Sequence, residues 1–285
     1  MIYVHRTSSF NLRQNETLDI KIECKKVAPA FVRRTDRFIQ LGLLGVAGIA
    51  KFGDIDVNTA LFMTSGQGNL AVFNRLCFQR YVEQVPPKPV DFINSLSNTA
   101  GFYIAKYLGL ESKNLNLAQH GFVVENALLL VKASLDTRQE TQILLGGVDE
   151  KPEQKSLPHS YLEITTDQAI GEGSNWLLMS NNELGAVASI EVNTSVLDGS
   201  KLIDYIIKQP DITHIALSQR INEDNAEQLI LKMGKPMFNC LDMYDFYETN
   251  MLFVMNSYIE HKNGLLAYID YFEGDYRVVL IQSIG

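Results

Sequence analysis

Cysteine is scarce in this 285-residue sequence. The three that occur, Cys24, Cys77 and Cys240, are odd in number and scattered, with no CxxC spacing. That pattern argues against a disulfide framework and against a zinc site, and it fits a reducing cytoplasm. Long apolar runs are missing too. Stretches such as Leu41 to Ala50 are too short to span a bilayer, so no membrane span is expected. Met1 to Phe10 carries charge early and lacks an apolar signal core, so export is not expected either. Positive charge is in deficit: 25 Lys and Arg stand against 33 Asp and Glu, a net charge of -8. A nucleic-acid partner, which would select a basic face, is disfavoured. Lys25, Lys26, Arg33, Arg34 and Arg37 form the one clear basic cluster, read as a solvated face. The common catalytic signatures are also missing: no HExxH, no GxSxG, no Walker loop and no GxGxxG after a strand. The five histidines lack metal-ligand spacing, so no metal or other cofactor is expected.

What is present is an ordinary globular composition, 46% apolar and 20% charged, with enough chain for a large core. Asp19 to Cys24 alternates polar and apolar residues, as a half-buried strand would. Asp36 to Ala50 reads as a helix, and Leu61 to Thr64 as a short strand running into a Ser-Gly-Gln-Gly turn. Asn69 to Glu83 reads as a helix capped by Asn69. After a stiff Pro86-Pro87-Lys88-Pro89 connection, Asp91 to Leu108 reads as one helix closed by Gly109. Leu115 to Ala118 is a short strand, Gly121 to Leu135 a strongly apolar helix, and Thr141 to Leu145 a strand that meets Gly146-Gly147. Gly171 to Ser174 reads as a tight turn, and Asp149 to Pro158 as a linker. Further on come strands at Trp176 to Met179, Ala186 to Val192 and Ile212 to Leu217. Helices are expected at Leu202 to Lys208, Glu223 to Met233 and Met251 to His261, with a hairpin about Glu273-Gly274-Asp275. This rhythm marks a layered α/β fold.

Four segments resemble, in order, those of β-ketoacyl synthases, the thiolase-like family. Val32 to Leu43 (VRRTDRFIQLGL) resembles the family's RR-type opening helix, and Ser97 to Leu135 the stretch through its nucleophile elbow. Ile143 to Glu150 (ILLGGVDE) resembles a strand ending in GG.DE, and Gly171 to Met179 (GEGSNWLLM) the GEGA motif and its strand. The resemblance covers most of residues 32–217 and fades beyond. It implies a thiolase-like αβαβα fold of two related halves, at 1–195 and 196–285, with the second shortened.

The resemblance also identifies what is absent. Aligning Leu117-Ala118-Gln119-His120-Gly121 with the elbow puts Gln119 at the nucleophilic cysteine, and a carboxamide cannot form a thioester. The strand at Ile212 to Gln219 puts Ser218 at the first catalytic histidine, with His214 four residues early. Asp242 to Asn250, where a second histidine belongs, has none. A glutamine at the cysteine position resembles the chain length factor, a dead subunit paired with an active ketosynthase. There the subunit would shape the partner's acyl tunnel with an early helix. The similar stretch here is Asn69 to Glu83, whose Phe73, Cys77 and Tyr81 share one helical face. Gln119 and His120 would adjoin the interface. On this reading the chain is not an enzyme by itself, and acyl carrier protein reaches it only through the ketosynthase, consistent with its acidity. The RR-type helix and short length resemble ketosynthase-like proteins of bacterial aryl polyene pathways. Two alternatives stand beside it: a malonyl decarboxylase or acyltransferase using Cys77 or His120, and a homodimeric acyl-binding scaffold.

Overall fold

A computed structural model describes residues 1–152 and 158–284. The chain runs β1 (Ile2–Leu12), α1 (Ile20–Val27), α2 (Arg37–Ala50), β2 (Ala60–Ser65), α3 (Leu70–Tyr81), α4 (Pro89–Asn94), α5 (Ser97–Leu108), β3 (Asn114–Ala118), α6 (Val123–Asp136) and β4 (Gln142–Asp149). It continues through α7 (His159–Leu162), β5 (Glu172–Ser180), β6 (Ala188–Val192), α8 (Gly199–Ile207), β7 (Ile212–Leu217), α9 (Glu223–Met233), α10 (Met251–His261), β8 (Gly264–Phe272) and β9 (Asp275–Ser283).

Among the described residues the strands make one sheet in the order β3-β2-β4-β5-β1-β6-β9-β8-β7. The order is nearly palindromic. In the first set the chain's first to fifth strands lie as third, second, fourth, fifth, first. From the other end, β7-β8-β9-β6 repeats that sequence without its third strand, whose place is reduced to a single parallel bridge between Ile215 and Met237. The seam joins β1 to β6 over Ile2, Tyr3 and Val4 only.

Side-chain alternation shows the layers. On β4, Ile143 and Leu145 face one core and Leu144 and Val148 another; β5 divides Leu177 and Met179 from Trp176 and Leu178 in the same way. On β8, Leu266 and Tyr268 join the first core, while Ala267 and Ile269 join a third. The shared core holds α6 and α10, which touch strands of both sets. The stacking is therefore α1, α2 and α5, then sheet, then α6 and α10, then sheet, then α8 and α9. Strands covered on both faces read as unbroken apolar runs, which is why β4 and β5 lack a polar alternation.

Three elements differ from the sequence reading. Asp19 to Cys24 opens helix α1: Asp19 caps it by accepting from Ile22 N, and Ile20 and Cys24, four apart, are its buried residues. Gly171 to Ser174 is no turn but leads into the fully buried strand β5. Asp91 to Leu108 is two helices, because Leu96 is extended; the Asn94 carbonyl accepts from the Asn69 side chain at 2.8 Å and Ile93 O from Thr99. Asn69 thereby makes no capping bond to α3. Of the expected linker, Asp149 is buried in β4, and 153–157 lie outside the described residues. No described helix is long and apolar enough to cross a membrane.

The contact of α2 with β5 fixes the first half. A Cβ at Gly45 would fall on the Ser174 side chain and lie 2.5 Å from its carbonyl oxygen. Gly45→Ala is therefore expected to destabilise the fold by about 1–3 kcal/mol, as overpacking does, measured as a lowered urea midpoint with unchanged m-value. An unchanged midpoint would show that α2 can move off the sheet.

Candidate functional site

The elbow lies where β3 passes into α6. Gln119 N donates to Ser65 O at 3.2 Å, which holds the turn against β2. Gly121 and Phe122 both have positive φ, +69° and +45°. A Cβ at Gly121 would run into the Phe272 ring, so the turn is close-packed against the β8 end as well as left-handed. The Gln119 side chain folds back on this turn, its Nε2 donating to Gly121 O at 3.0 Å.

His120 projects from the turn into a buried charged cluster. Its Nδ1 lies 2.5 Å from Glu248 Oε1, its ring stacks on Tyr161 at 4.3 Å, and Phe272 meets it edge-on at 4.8 Å. Glu248, 7% exposed, pairs through its other oxygen with Arg220, also 7% exposed. Arg220 Nε donates to Leu162 O at 3.0 Å, and its guanidinium sits over Phe246 and Phe272 at 5.1 and 5.4 Å. His120 is thus half-buried and held by Glu248 rather than free at the surface. Beside this cluster, Asp149 accepts from Ser65 Oγ and Gly66 N at 2.9 Å and from Thr249 N at 2.8 Å. Burial, and then the Glu248 charge, push its pKa up to about 6. Glu150, partly buried at the next position, is pushed up to about 7 by burial and then by the Asp36 and Glu172 carboxylates, against a stabilising bond from Ala71 N. Glu125 on α6 is raised well above the usual carboxylate range by burial and then by Asp270.

Ser218 ends β7 with its N–H bonded to Ile269 O; its hydroxyl accepts weakly from Arg220 N at 3.4 Å. His214 is half-buried in β7 beside Thr213 and Tyr258 and does not enter the cluster. Asp242 to Asn250, the region that lacks the second histidine, leads directly into α10. Phe73, Cys77 and Tyr81 lie apart from the cluster, on α3, whose buried residues are Val72 and Gln79; Phe73 is 55% and Tyr81 78% exposed. Of the basic cluster, Arg37 is not merely solvated: it grips buried Glu172, with Nε 2.9 Å from Oε2.

Arg220, Glu248 and Tyr161 were not identified from sequence. Asp149 stood inside a quoted motif without a role. Arg220 and Glu248 are 28 residues apart in segments with no periodic mark, and only the fold brings them together. Chemically the cluster is a closed hydrogen-bonded knot. No serine, threonine or cysteine side chain bonds to His120 among the described residues. The space left against Asp149, Glu150, Tyr247 and Glu248 is about 20 Å³, room for one water.

No family model and no curated protein matches the sequence. Solved structures do match along the whole chain. The chain is similar to the ishigamide ketosynthase/chain length factor, with a TM-score of 0.73 and 12% identity over 100% of this chain and 99% of that one. It is also similar to a type II polyketide synthase structure, AntDE:AntF, an acyl-carrier protein in complex with its ketosynthase (TM-score 0.70, 12% identity, 99% of each chain). A third is the ketosynthase ApeO with its chain length factor ApeC from Xenorhabdus doucetiae (TM-score 0.56, 9% identity, 98% of each). The fold is therefore that of the thiolase-like ketosynthases, layered αβαβα with a shortened second half.

The raised carboxyl pKa values set a pH dependence. A carboxyl whose folded pKa exceeds its unfolded value binds more protons when folded, so stability falls as pH rises between the two. For Asp149 and Glu150 that window runs from about 4 to about 7. Thermal midpoints are expected to fall between pH 5 and pH 8. Glu150→Gln, which keeps an acceptor for Ala71 N, is expected to raise the midpoint at pH 8 and flatten the profile. A midpoint that rises with pH would contradict this assignment.

Proposed function

We propose that this chain is a non-catalytic, chain-length-factor-like subunit that pairs with an active ketosynthase and shapes its acyl tunnel during polyketide or polyene elongation on acyl carrier protein. The observation that carries the reading is the filled site. At the elbow, where condensation requires a thiolate and two imidazoles around an acyl chain, this chain has a carboxamide bonded to its own turn and an Arg220–Glu248–His120 knot. A thioester needs a nucleophile and an enolate needs free donors; the Gln119 carboxamide is no nucleophile, and His120 and Arg220 are both engaged by Glu248. This also weighs against a malonyl decarboxylase, and Cys77 on α3 makes no side-chain hydrogen bond among the described residues.

A partner is supported by what the first half leaves open. β3 is the sheet's outer strand with its far side unpaired. Near it in sequence, α3 to α5 expose Phe73, Phe78, Tyr81, Phe92, Ile93 and Phe102. A free edge flanked by exposed aromatics is an aggregation hazard unless covered. A ketosynthase of the same fold, offering its own edge strand, would cover both. The tunnel-facing side in this reading is the Phe73–Cys77–Tyr81 face, while Gln119 holds the edge region through its N–H to Ser65 O. An acidic subunit leaves carrier-protein docking to its partner. The resemblance of the RR-type helix supports an aryl polyene product.

The test is co-expression with the ketosynthase encoded beside it, followed by size exclusion of a tagged pull-down. A stoichiometric heterodimer is expected. Its condensation activity should vanish when the partner's cysteine is replaced and survive Gln119→Ala. Phe73→Glu with Tyr81→Glu should weaken assembly tenfold or more, about 1.4 kcal/mol or above, while circular dichroism is unchanged. A stable homodimer that ignores the ketosynthase would sink the proposal.

A further inference from the structure

The second half contains a cavity that the elbow cluster does not use. Because the third strand of this half is reduced to the Ile215–Met237 bridge, segment 236–245 passes over the end of β7 without packing flush against α9 and α10. The space left is about 340 Å³, within the range of small-molecule sites. Leu217, Ile221, Ile230, Met237, Phe238 and Val254 make its walls apolar.

Gln168, Gln219 and Asn239 also line the cavity; Gln168 is spent on Thr165 N and Gln219 O, and the Asn239 side-chain oxygen on Leu241 N. Tyr244, only 2% exposed, lines the cavity, and its hydroxyl makes no hydrogen bond among the described residues. Burial raises its pKa far above neutrality, so it stays an O–H donor. The hydroxyl opens onto the cavity rather than being sealed in the protein, so it is placed to donate to a bound acceptor. Asp245 is already engaged, accepting from Arg13 Nε at 3.2 Å and Gln14 N at 2.5 Å. Exposed Glu223, in the first turn of α9, adds negative charge at the rim, and no Lys, Arg or His lines the cavity. Burial pushes the Cys240 thiol in the wall up to about 12, so no thiolate is available and nothing would be held covalently.

We infer that this cavity is a binding site for a small neutral apolar molecule with one oxygen that accepts from the Tyr244 hydroxyl. A free carboxylate or phosphate would meet acidic groups and no cation, and so is disfavoured. The site does not depend on the partner-subunit reading, since it lies wholly within one chain. Ser218 also lines it, two residues before Arg220, so a bound molecule would press on the turn that carries the ion pair.

The experiment is a Nile red fluorescence titration of the full chain, with decan-1-ol and decanoate as competitors at pH 8. Decanol is expected to displace the dye at concentrations at least tenfold below decanoate. Tyr244→Phe should weaken decanol about three- to tenfold, the worth of one hydrogen bond, and leave dye binding intact. Ala226→Trp, on the α9 wall, should abolish dye binding. If that variant does not fold, Glu223→Lys at the exposed rim decides: it should narrow the gap between alcohol and carboxylate. Equal competition by the two in the unmodified chain, dye binding that survives Ala226→Trp, or an unchanged gap in Glu223→Lys would each overturn the inference. Because no ketosynthase is present, failure here leaves the subunit proposal standing, and the reverse also holds.

Discussion

Glu248 is the residue on which the two halves agree. One of its oxygens holds His120 from the β3–α6 elbow and the other holds Arg220 from the turn after β7. Its own segment leads through Thr249 and Asn250 into α10, and Thr249 N is bound by Asp149 at the end of β4. With Ser65 and Gly66 at the end of β2, which also bond Asp149, five chain segments are thus tied through two carboxylates. A buried charge without a partner is costly, and removing one member of such a pair is worse than never having had it. Every segment must therefore arrive in register before the others are satisfied. The aromatic shell of Tyr161, Phe246 and Phe272 keeps water from sharing those bonds.

The same knot is what the proposed non-catalytic reading rests on. An imidazole oriented by a carboxylate is half of a common catalytic arrangement. Here its other half is missing, since the neighbouring elbow residue is Gln119 and its amide is spent within the turn. Arg220 would be a capable oxyanion donor if it were aimed at open space. Paired with Glu248 and roofed by two phenyl rings, it has none to address. The polar groups of an active centre are present in kind but have been turned toward one another.

The layered α/β class, the helix α2, the buried helix α6 and the C-terminal hairpin were legible because each shows a local pattern. Gly109 after an apolar run is such a mark, and it closes α5 in the left-handed conformation. The misses have physical causes. In Asp19 to Cys24 the spacing of Ile20 and Cys24 satisfies a period of 3.6 as well as one of 2, and capping by Asp19 decides for the helix. The glycines of Gly171 to Ser174 mark close approach: a Cβ at Gly173 would meet the Tyr247 ring and Asn11. The break at Leu96 depends on bonds from Asn69 and Thr99, the first from 25 residues upstream. At the site, the resemblance proposes roles for Gln119 and Ser218, and the structure places them in the β3–α6 turn and just after β7. Arg220 and Glu248 could not be identified, because a charge pair across 28 residues leaves no trace in either segment.

The reduced third strand of the second half has a consequence for valency. A sheet grows by adding strands to open edges, and most sheets have two. Here β3 leaves one edge bare, while beyond β7 the chain doubles back at Met237, with Pro236 O and Phe238 N taking up both backbone groups of Ile215. That far edge is partly occupied by its own chain and continues in a segment without strand geometry. Among the described residues the β3 side is therefore the edge at which the sheet offers a full row of backbone groups to a further strand.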